Sequence, residues 1–198
     1  MPSSVGHALA GAAAAWCADL VPGDRGWRTA PAAASWYRRA GDGLTLLCAG
    51  IAAAPDLDLL FHSHRRYTHS IGGVLLVGVV AALAATRVRR PAVRVALMCA
   101  GAYATHLVLD WLAVDSVPPF GIRAFWPFDS TWVISGWDLF GQTERRHFLS
   151  AATIWINLQA IARELAILGP VAIAVWLIRV KALARLSAET PCRDHAAQ

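Results

Sequence analysis

The chain has 198 residues, of which 57% are hydrophobic and 16% are charged. This composition is too apolar and too poor in charge for an ordinary soluble domain, so it indicates a membrane protein. The formal net charge of +5 does not indicate nucleic-acid binding, because the basic residues lie in short clusters between apolar runs. We therefore predict an all-α integral membrane bundle of four to five transmembrane helices, with membrane lipids, including anionic headgroups, as partners.

The first apolar run extends from Val5 to Leu20 and carries His7 at its start. Its length would also suit a signal peptide. However, no basic residue precedes the run, and a histidine is unusual in a segment destined for removal, so we predict a retained helix. The polar stretch Asp24 to Gly43 that follows is predicted to be a solvent-facing loop.

The second apolar run, Leu44 to Ala54, has only eleven residues. As a helix it would measure roughly 16 Å, against a hydrocarbon core of about 30 Å. Either the helix extends backwards through Asp42, or Asp56 lies below the membrane surface in a cavity lined by protein. The sequence leaves both arrangements open.

Two longer runs, Ile71 to Thr86 and Ala92 to Val114, predict a helical hairpin about a basic connection at residues 87–91. His106 and Asp110 are four residues apart in the second helix, so their side chains share one face. Because His69 is at the near end of the first helix, an antiparallel hairpin would bring it level with this pair.

The aromatic loop, Asp115 to Gly141, is rich in Trp, Phe and Pro. Such rings favour the headgroup layer, so the loop is either an interfacial belt or a lid over a site, and the two roles are compatible. A long final helix is predicted as far as Val180, with Pro170 inviting a kink. We expect one helical membrane domain over residues 1–186 and a disordered tail over residues 187–198.

The residues best suited to chemistry lie just before Ile71, where Asp56 and Asp58 precede three histidines within fourteen residues. Imidazole nitrogens and carboxylate oxygens are ligands of zinc and related divalent ions, and ionisable groups at a membrane helix suggest function. The predicted metal ligands are His7, Asp56, Asp58, His64, His69, His106 and Asp110. Seven candidates exceed the four of a structural zinc site, so an open position or two adjacent ions is expected.

The remaining histidines are assigned lesser roles: His62 as a loop or supporting residue, and His147 and His195 as bystanders. The four cysteines, Cys17, Cys48, Cys99 and Cys192, lie far apart without a Cys-x-x-Cys pair, and we interpret them as buried thiols.

Arg65 is a candidate for substrate binding, because a guanidinium beside a metal can pair with phosphate oxygens. It could equally contact a headgroup or form an ion pair with a carboxylate of the site. Thr68 or Ser70 is predicted to cap the helix that begins near Ile71, whose N-terminal N–H groups would add an anion site.

The distribution of charge predicts an orientation. Segments 22–43, 87–94 and 179–198 fall on one side of a five-pass chain and carry twelve of the eighteen Lys and Arg residues. Because basic loops favour the cytoplasm, the candidate ligands would meet at the non-cytoplasmic face.

Four motifs resemble a family of bacterial membrane-bound, metal-dependent hydrolases, described as LexA-regulated inner-membrane hydrolases. They are Gly6-His7, Pro55-Asp56-Leu57-Asp58, His64-Arg65-Arg66-Tyr67-Thr68-His69-Ser70, which matches the family's His-Arg-x-x-Thr-His-Ser, and Thr105-His106-Leu107-Val108-Leu109-Asp110 before Phe125-Trp126-Pro127. The third is the most specific. The spacing between the second and third motifs is shorter than the family pattern, and the residues beyond 140 match nothing in it. The resemblance implies a bacterial inner membrane location and metal-dependent hydrolysis.

Together, residues and resemblance predict an enzyme in which a divalent ion, zinc first and manganese second, activates water. Asp58 or Asp110 would be the general base, Arg65 would bind substrate, and the substrate would be a small-molecule or lipid phosphoester at the membrane interface. Motifs of serine hydrolases, common metalloproteases and phosphate-loop enzymes are absent from the sequence.

Two other functions compete with the enzyme. A metal or proton transporter would need polar residues at successive depths, for which Asp19 and Asn157 are the further candidates. A membrane scaffold with a structural metal would need neither turnover nor a pathway. The oligomeric state cannot be derived from the sequence.

Overall fold

The structure, a computed structural model, describes residues 1–21, 39–41, 43–61, 65, 67–144, 147 and 149–194, with the backbone alone for 59–61 and 186–194. Its helices are α1 (Ser4–Ala18), α2 (Gly43–Ala53), α3 (Ile71–Arg87), α4 (Ala92–Trp111) and α5 (Ala151–Asp194). Over these residues there is no strand, and two isolated β-bridges lie in the loop after α4. The predicted all-α class is confirmed.

Of the helices in the described part of the chain, two are long and apolar enough to cross a membrane, namely α4 and the Ala151–Arg185 part of α5. α3 is also apolar but has only 17 residues. α2 has 11 residues and continues as a 3₁₀ helix, Ala54–Phe61, which carries Asp56 and Asp58. Asp42, through which we considered extending α2, lies outside the described residues.

The helices pack around α1, which contacts α2, α4 and α5, while α3 lies along α4 as the predicted hairpin. Small side chains fill the contacts between helices, among them Ala15, Cys48, Ala85 and Ala102. Such residues let helix backbones approach closely, which is how helices associate in lipid. Cys48 and Cys99 are buried thiols, as predicted, but the thiol of Cys17 is exposed. The side chain of Cys192 lies outside the described part.

α5 is fastened to α1 at both ends. Near the start of α1, the buried Glu164 carboxylate accepts a hydrogen bond from the backbone N–H of Ser3 at 2.7 Å and another from its hydroxyl. At the far end, Arg179 donates to Asp19 at 2.7 Å and to the carbonyl of Arg39. α5 then continues as far as Asp194, so the backbone is helical into the segment where we expected a disordered tail.

The aromatic loop folds back over the ends of α3 and α4. Its backbone pairs with the end of α4 through Leu139 N–H to Leu112 O at 2.8 Å and Val114 N–H to Phe140 O at 3.0 Å. Gly121 has a φ of 85°, and a Cβ there would lie 2.1 Å from the carbonyl oxygen of Val133, so this turn requires glycine. Phe128 and Trp137 are largely exposed at the loop surface.

Candidate metal centre

Five of the predicted ligands meet at one end of the bundle. α1 supplies His7, the 3₁₀ helix supplies Asp56, and α4 supplies His106 and Asp110. His69 directly precedes Ser70, the N-cap of α3. All five side chains are buried. We call these five residues the His–Asp cluster.

Three atoms of the cluster converge most closely. His69 Nε2 and His106 Nε2 are 2.9 Å apart, and Asp110 Oδ2 lies 3.2 Å from the first and 3.1 Å from the second. Ligand atoms around a tetrahedral zinc ion, with bonds of about 2.0–2.1 Å, are separated by about 3.3 Å. The three atoms are therefore spaced like ligands of one ion, and the i, i+4 pairing of His106 with Asp110 is confirmed.

His7 and Asp56 stand next to this group. The ring of His7 stacks on that of His106 with centroids 3.7 Å apart, and its Nε2 lies 3.5 Å from Asp110 Oδ1. Asp56 Oδ1 is 3.8 Å from His69 Nε2 and 3.9 Å from His106 Nε2. His7, Asp56 and His106 thus form a second group of possible ligands that shares His106 with the first, an arrangement suited to one ion or two neighbouring ions.

Some polar atoms of the His–Asp cluster have no hydrogen-bond partner among the described residues. Both ring nitrogens of His7 and both carboxylate oxygens of Asp110 form none within the described residues, although nitrogen atoms lie close to the carboxylate. Burying such groups unsatisfied is costly. A cation between them would supply the missing partner, so these residues fit a metal ion.

The rings of His69 and His106 each have a polar partner at Nδ1, on the side away from the other ligand atoms. His106 Nδ1 lies 2.7 Å from the carbonyl oxygen of Ala52, to which it can donate. His69 Nδ1 lies 2.9 Å from Thr68 Oγ1 and 3.4 Å from Asp58 Oδ2. A partner on Nδ1 leaves Nε2 free for a metal, so both rings present the appropriate nitrogen to the centre.

Asp58, which we predicted as a ligand and a possible general base, lies behind the ring of His69. Its Oδ2 accepts hydrogen bonds from the Arg65 backbone N–H at 2.9 Å and the Thr68 hydroxyl at 2.5 Å. It belongs to neither group of converging ligand atoms. The geometry therefore assigns Asp58 to the support of His69, because the 3₁₀ helix turns it away from the side that Asp56 faces.

Arg65 has a partner within the chain, Asp115, which the sequence analysis did not predict. Its guanidinium forms an ion pair with Asp115 and lies 3.3 Å from the carbonyl oxygen of Gly121. Asp115 also accepts the Gly121 N–H at 2.7 Å. Of the roles considered for Arg65, ion pairing agrees best with the structure, although the partner comes from the aromatic loop. The signal available was an acidic residue directly after the hairpin.

The N–H groups at the N-terminus of α3 also have hydrogen-bond acceptors within the chain. Ser70 is the cap, with its hydroxyl oxygen accepting the Gly73 N–H at 3.2 Å. The N–H groups of Ile71 and Gly72 donate to the carbonyls of Ala124 and Trp126 at 2.8 and 2.9 Å. The expected anion site at this helix start is therefore wrong, because the aromatic loop uses its donors.

Of the remaining histidines, the structure describes His147. His64, predicted as a ligand, and His62 lie outside the described residues, as does His195. His147 is exposed and belongs to neither group of ligand atoms.

The surroundings of His69 are strongly negative. Burial opposes protonation of this ring, but the neighbouring carboxylates of Asp110, Asp56 and Asp58 raise the pKa of His69 to about 10. The proton that this pKa keeps on His69 supplies a compensating positive charge when no metal is bound. A divalent cation at the centre would displace that proton and compensate the carboxylates in its place.

A family model described as YdjM inner membrane protein matches residues 1–186 of the chain. The chain belongs to this family. Membership in the YdjM inner membrane protein family agrees with the apolar composition and with the two helices long enough to span a membrane. It also confirms the inner-membrane family to which the four motifs pointed, whereas metal-dependent hydrolysis stays a prediction. No curated protein and no solved structure matches the chain significantly.

Proposed function

We propose that this YdjM-family chain is a membrane-bound, metal-dependent hydrolase. The observation that carries the proposal is the convergence of His69, His106 and Asp110, with separations of 2.9–3.2 Å, at a buried point where carboxylate oxygens have no hydrogen bonds within the described residues. A purely structural cluster of polar side chains would instead pair its own donors and acceptors.

A divalent ion at this point would make a nucleophile of water at neutral pH and polarise the bond to be cleaved. His69, His106 and Asp110 would hold it, with His7 as a further ligand. The imidazole nitrogens of His69 and His106 with one oxygen of Asp110 suit zinc, which is the first candidate. The neighbouring carboxylate of Asp56 makes manganese the second. Asp58 and the Ala52 carbonyl orient the two rings.

Asp56 is the residue that we assign to proton transfer. Asp110 would itself be a metal ligand, beside His69 and His106. Asp58 lies behind the ring of His69, away from the metal position. Neither of the two bases predicted from the sequence is therefore well placed to accept a proton. Asp56 is buried at the edge of the cluster, 3.8 Å from His69 Nε2. A water held by an ion at His69 Nε2 would therefore be close enough to give its proton to Asp56, directly or through one further water.

The substrate class must be argued from the metal ion itself. Arg65 and the N-terminus of α3, which suggested a phosphoester, both have partners within the chain. A metal ion can itself polarise a phosphoryl oxygen, so phosphoesters are the first class to test, with carboxylic esters and amides after them.

For the arrangement in the membrane, we propose that α1, α3, α4 and α5 cross the bilayer and that α2 enters it without crossing alone. The family and the two long apolar helices support a membrane bundle. The basic end of the hairpin would face the cytoplasm, which puts the cluster at the non-cytoplasmic side.

A transporter receives less support, because both further polar residues that a pathway would use have structural partners. Asp19 accepts a hydrogen bond from Arg179, and Asn157 exchanges hydrogen bonds with the backbone of Glu144 at 2.8 and 2.9 Å. Asp19 and Asn157 therefore do not extend the His–Asp cluster into a transport pathway through the bundle.

The proposal is tested by measuring bound metal and turnover in detergent. Wild type should contain at least one equivalent of zinc or manganese and release product from one substrate class in a chelator-sensitive way. Asp110→Asn keeps the shape of the side chain but weakens its oxygen as a ligand, so it should deplete the metal and abolish turnover. His147→Asn is the control and should match wild type.

The alternatives give different results. A metal-free wild type, prepared without chelators, would contradict the site itself. Bound metal with flux into sealed liposomes, and no hydrolysis of phosphoesters, esters or amides, would favour the transporter. Bound metal with neither activity would favour a structural role.

A further inference from the structure

Arg65 has a backbone conformation that arginine rarely adopts. Its φ is 64°, in the left-handed region where a side chain is unfavourable and glycine is preferred. In this conformation the N–H of Arg65 donates a hydrogen bond to Oδ2 of Asp58 at 2.9 Å. The hydrogen bond to Asp58 therefore depends on a strained backbone, which contacts elsewhere in the protein must stabilise.

The side chain of Arg65 provides such a contact. Its guanidinium forms an ion pair with Asp115 and lies 3.3 Å from the carbonyl oxygen of Gly121. The side chains of Arg65 and Asp115 are only 12% and 6% exposed, so water screens the pair weakly. Removing one partner would leave a largely buried charge unpaired, which is costly. Asp115 therefore favours the one position of Arg65 in which the pair can form.

The carboxylate of Asp115 is itself oriented by the aromatic loop. Its Oδ2 accepts the N–H of Gly121 at 2.7 Å, and its Oδ1 accepts the N–H of Val117 at 3.2 Å. Both donors are backbone groups close to Asp115 in the chain. The loop thus presents the carboxylate to Arg65 in a defined orientation.

On the other side of Arg65, the contacts continue to His69. Oδ2 of Asp58 lies 3.4 Å from His69 Nδ1 and also accepts the Thr68 hydroxyl, whose oxygen is 2.9 Å from the same nitrogen. Thr68 has a separate support, because the hydroxyl of Tyr103 donates to its carbonyl oxygen at 2.6 Å. Loss of the Arg65 N–H would therefore loosen Asp58 but leave Thr68 in place, so its effect on His69 would be partial.

We propose that Asp115 is a positioning residue of the metal centre and acts through Arg65 and Asp58 on the ring of His69. Asp115 belongs to neither group of converging ligand atoms. Its role rests on the metal centre of the proposed function, but on neither hydrolysis nor the substrate class. Partners behind metal ligands typically change metal affinity by about 10–100-fold. Because Asp115 acts through two intermediate residues, its effect should lie at the lower end of that range.

The first measurement is the zinc affinity of the full chain in detergent, by competition with a calibrated chelator. Asp115→Asn should weaken zinc binding about tenfold, whereas Asp115→Glu keeps the carboxylate and should recover most of the affinity. Asp58→Ala removes the acceptor that the Arg65 N–H positions. Adding Asp115→Asn to Asp58→Ala should therefore cause no further loss.

Two variants of Arg65 test the part played by its backbone. Arg65→Ala and Arg65→Gly remove the same guanidinium, but glycine adopts a φ of 64° without strain. Arg65→Ala should therefore resemble Asp115→Asn in zinc affinity, and Arg65→Gly should lie closer to wild type. If the ion pair contributed only to overall stability, the more flexible glycine would be the more harmful replacement.

Asp19→Asn is the matched control, because it disrupts the buried ion pair with Arg179 at the far end of the bundle. Its thermal midpoint, measured by differential scanning fluorimetry, should fall while its zinc affinity stays at the wild-type value. The same midpoint measured for Asp115→Asn separates a loss of stability from a loss of affinity.

Three outcomes would overturn the role of Asp115. They are a wild-type zinc affinity in Asp115→Asn, independent and additive losses when Asp58→Ala and Asp115→Asn are combined, and a loss in Asp19→Asn as large as that in Asp115→Asn. A wild type that binds no zinc would contradict the metal centre and this role together. The expected zinc affinities without hydrolysis of any substrate would contradict the proposed function and support the role of Asp115.

Discussion

At the scale of single residues, His69 is held by its own neighbours in the orientation that a ligand needs. Thr68 and Asp58 contact its Nδ1, while its Nε2 faces His106 and Asp110. A carboxylate behind a metal-binding histidine fixes the tautomer and makes the ring a better ligand. Asp58 therefore supports the centre without belonging to it.

This role predicts the effect of Asp58→Asn. The variant should still bind metal at saturation, because no converging ligand atom is removed. Its affinity for zinc should fall by about 10–100-fold, since the charge that favours the correct ring orientation is lost. Competition with a calibrated zinc chelator measures the difference.

Asp129→Asn is the control, because Asp129 is exposed and pairs locally with Thr131. It should leave the affinity for zinc unchanged. Complete loss of metal in Asp58→Asn, equal to that in Asp110→Asn, would mean that Asp58 is a direct ligand after all.

The sequence predicts which residues belong to the His–Asp cluster better than it predicts what each of them does there. The spacing of His106 and Asp110 places both on one helical face whatever the tertiary structure, and His69 follows from the hairpin. Asp56 and Asp58 cannot be distinguished in this way, because a 3₁₀ turn decides which of them faces the centre. The partner of Arg65 is 50 residues away in an irregular loop, beyond any periodic pattern.

At the scale of helices, the centre depends on the close approach of α1 and α2. α1 carries His7, and α2 carries the Ala52 carbonyl that contacts His106. A Cβ on Gly11 of α1 would lie 2.5 Å from the Cβ of Ala52 and 2.6 Å from the carbonyl oxygen of Cys48. The two backbones can reach this separation only because position 11 has no side chain.

Gly11→Ala should therefore push α1 away from α2. Overpacking of this kind costs about 1–3 kcal/mol, so the thermal midpoint in detergent should fall. Because both helices hold parts of the centre, affinity for metal should fall as well. Differential scanning fluorimetry with and without added zinc measures both effects.

Gly50→Ala is the matched control on α2, since a Cβ there meets nothing within 4 Å. It should keep wild-type metal affinity and gain up to about 1 kcal/mol in stability from better helix propensity. An unchanged midpoint in Gly11→Ala would contradict the close packing of α1 on α2.

At the scale of the whole molecule, the two ends of the bundle differ in chemistry. One end holds the His–Asp cluster under the aromatic loop. The other holds Arg94, which donates to the Ala18 carbonyl at 2.5 Å, and Arg179, buried against Asp19. Apolar periodicity predicted where most helices lie, but not that α5 is fixed to α1 by Glu164, because that contact spans 161 residues and requires a buried charge.

This asymmetry predicts the orientation of the chain in the membrane. Basic segments favour the cytoplasm, so the connection at residues 87–91 should lie inside and the aromatic loop outside. In a background without native cysteines, Ser130→Cys should react with a membrane-impermeant maleimide in intact spheroplasts. Arg87→Cys should react only after lysis. The reverse pattern would place the His–Asp cluster at the cytoplasmic side, where a hydrolase would act on cytosolic substrates, and would contradict the orientation argued from the arginines.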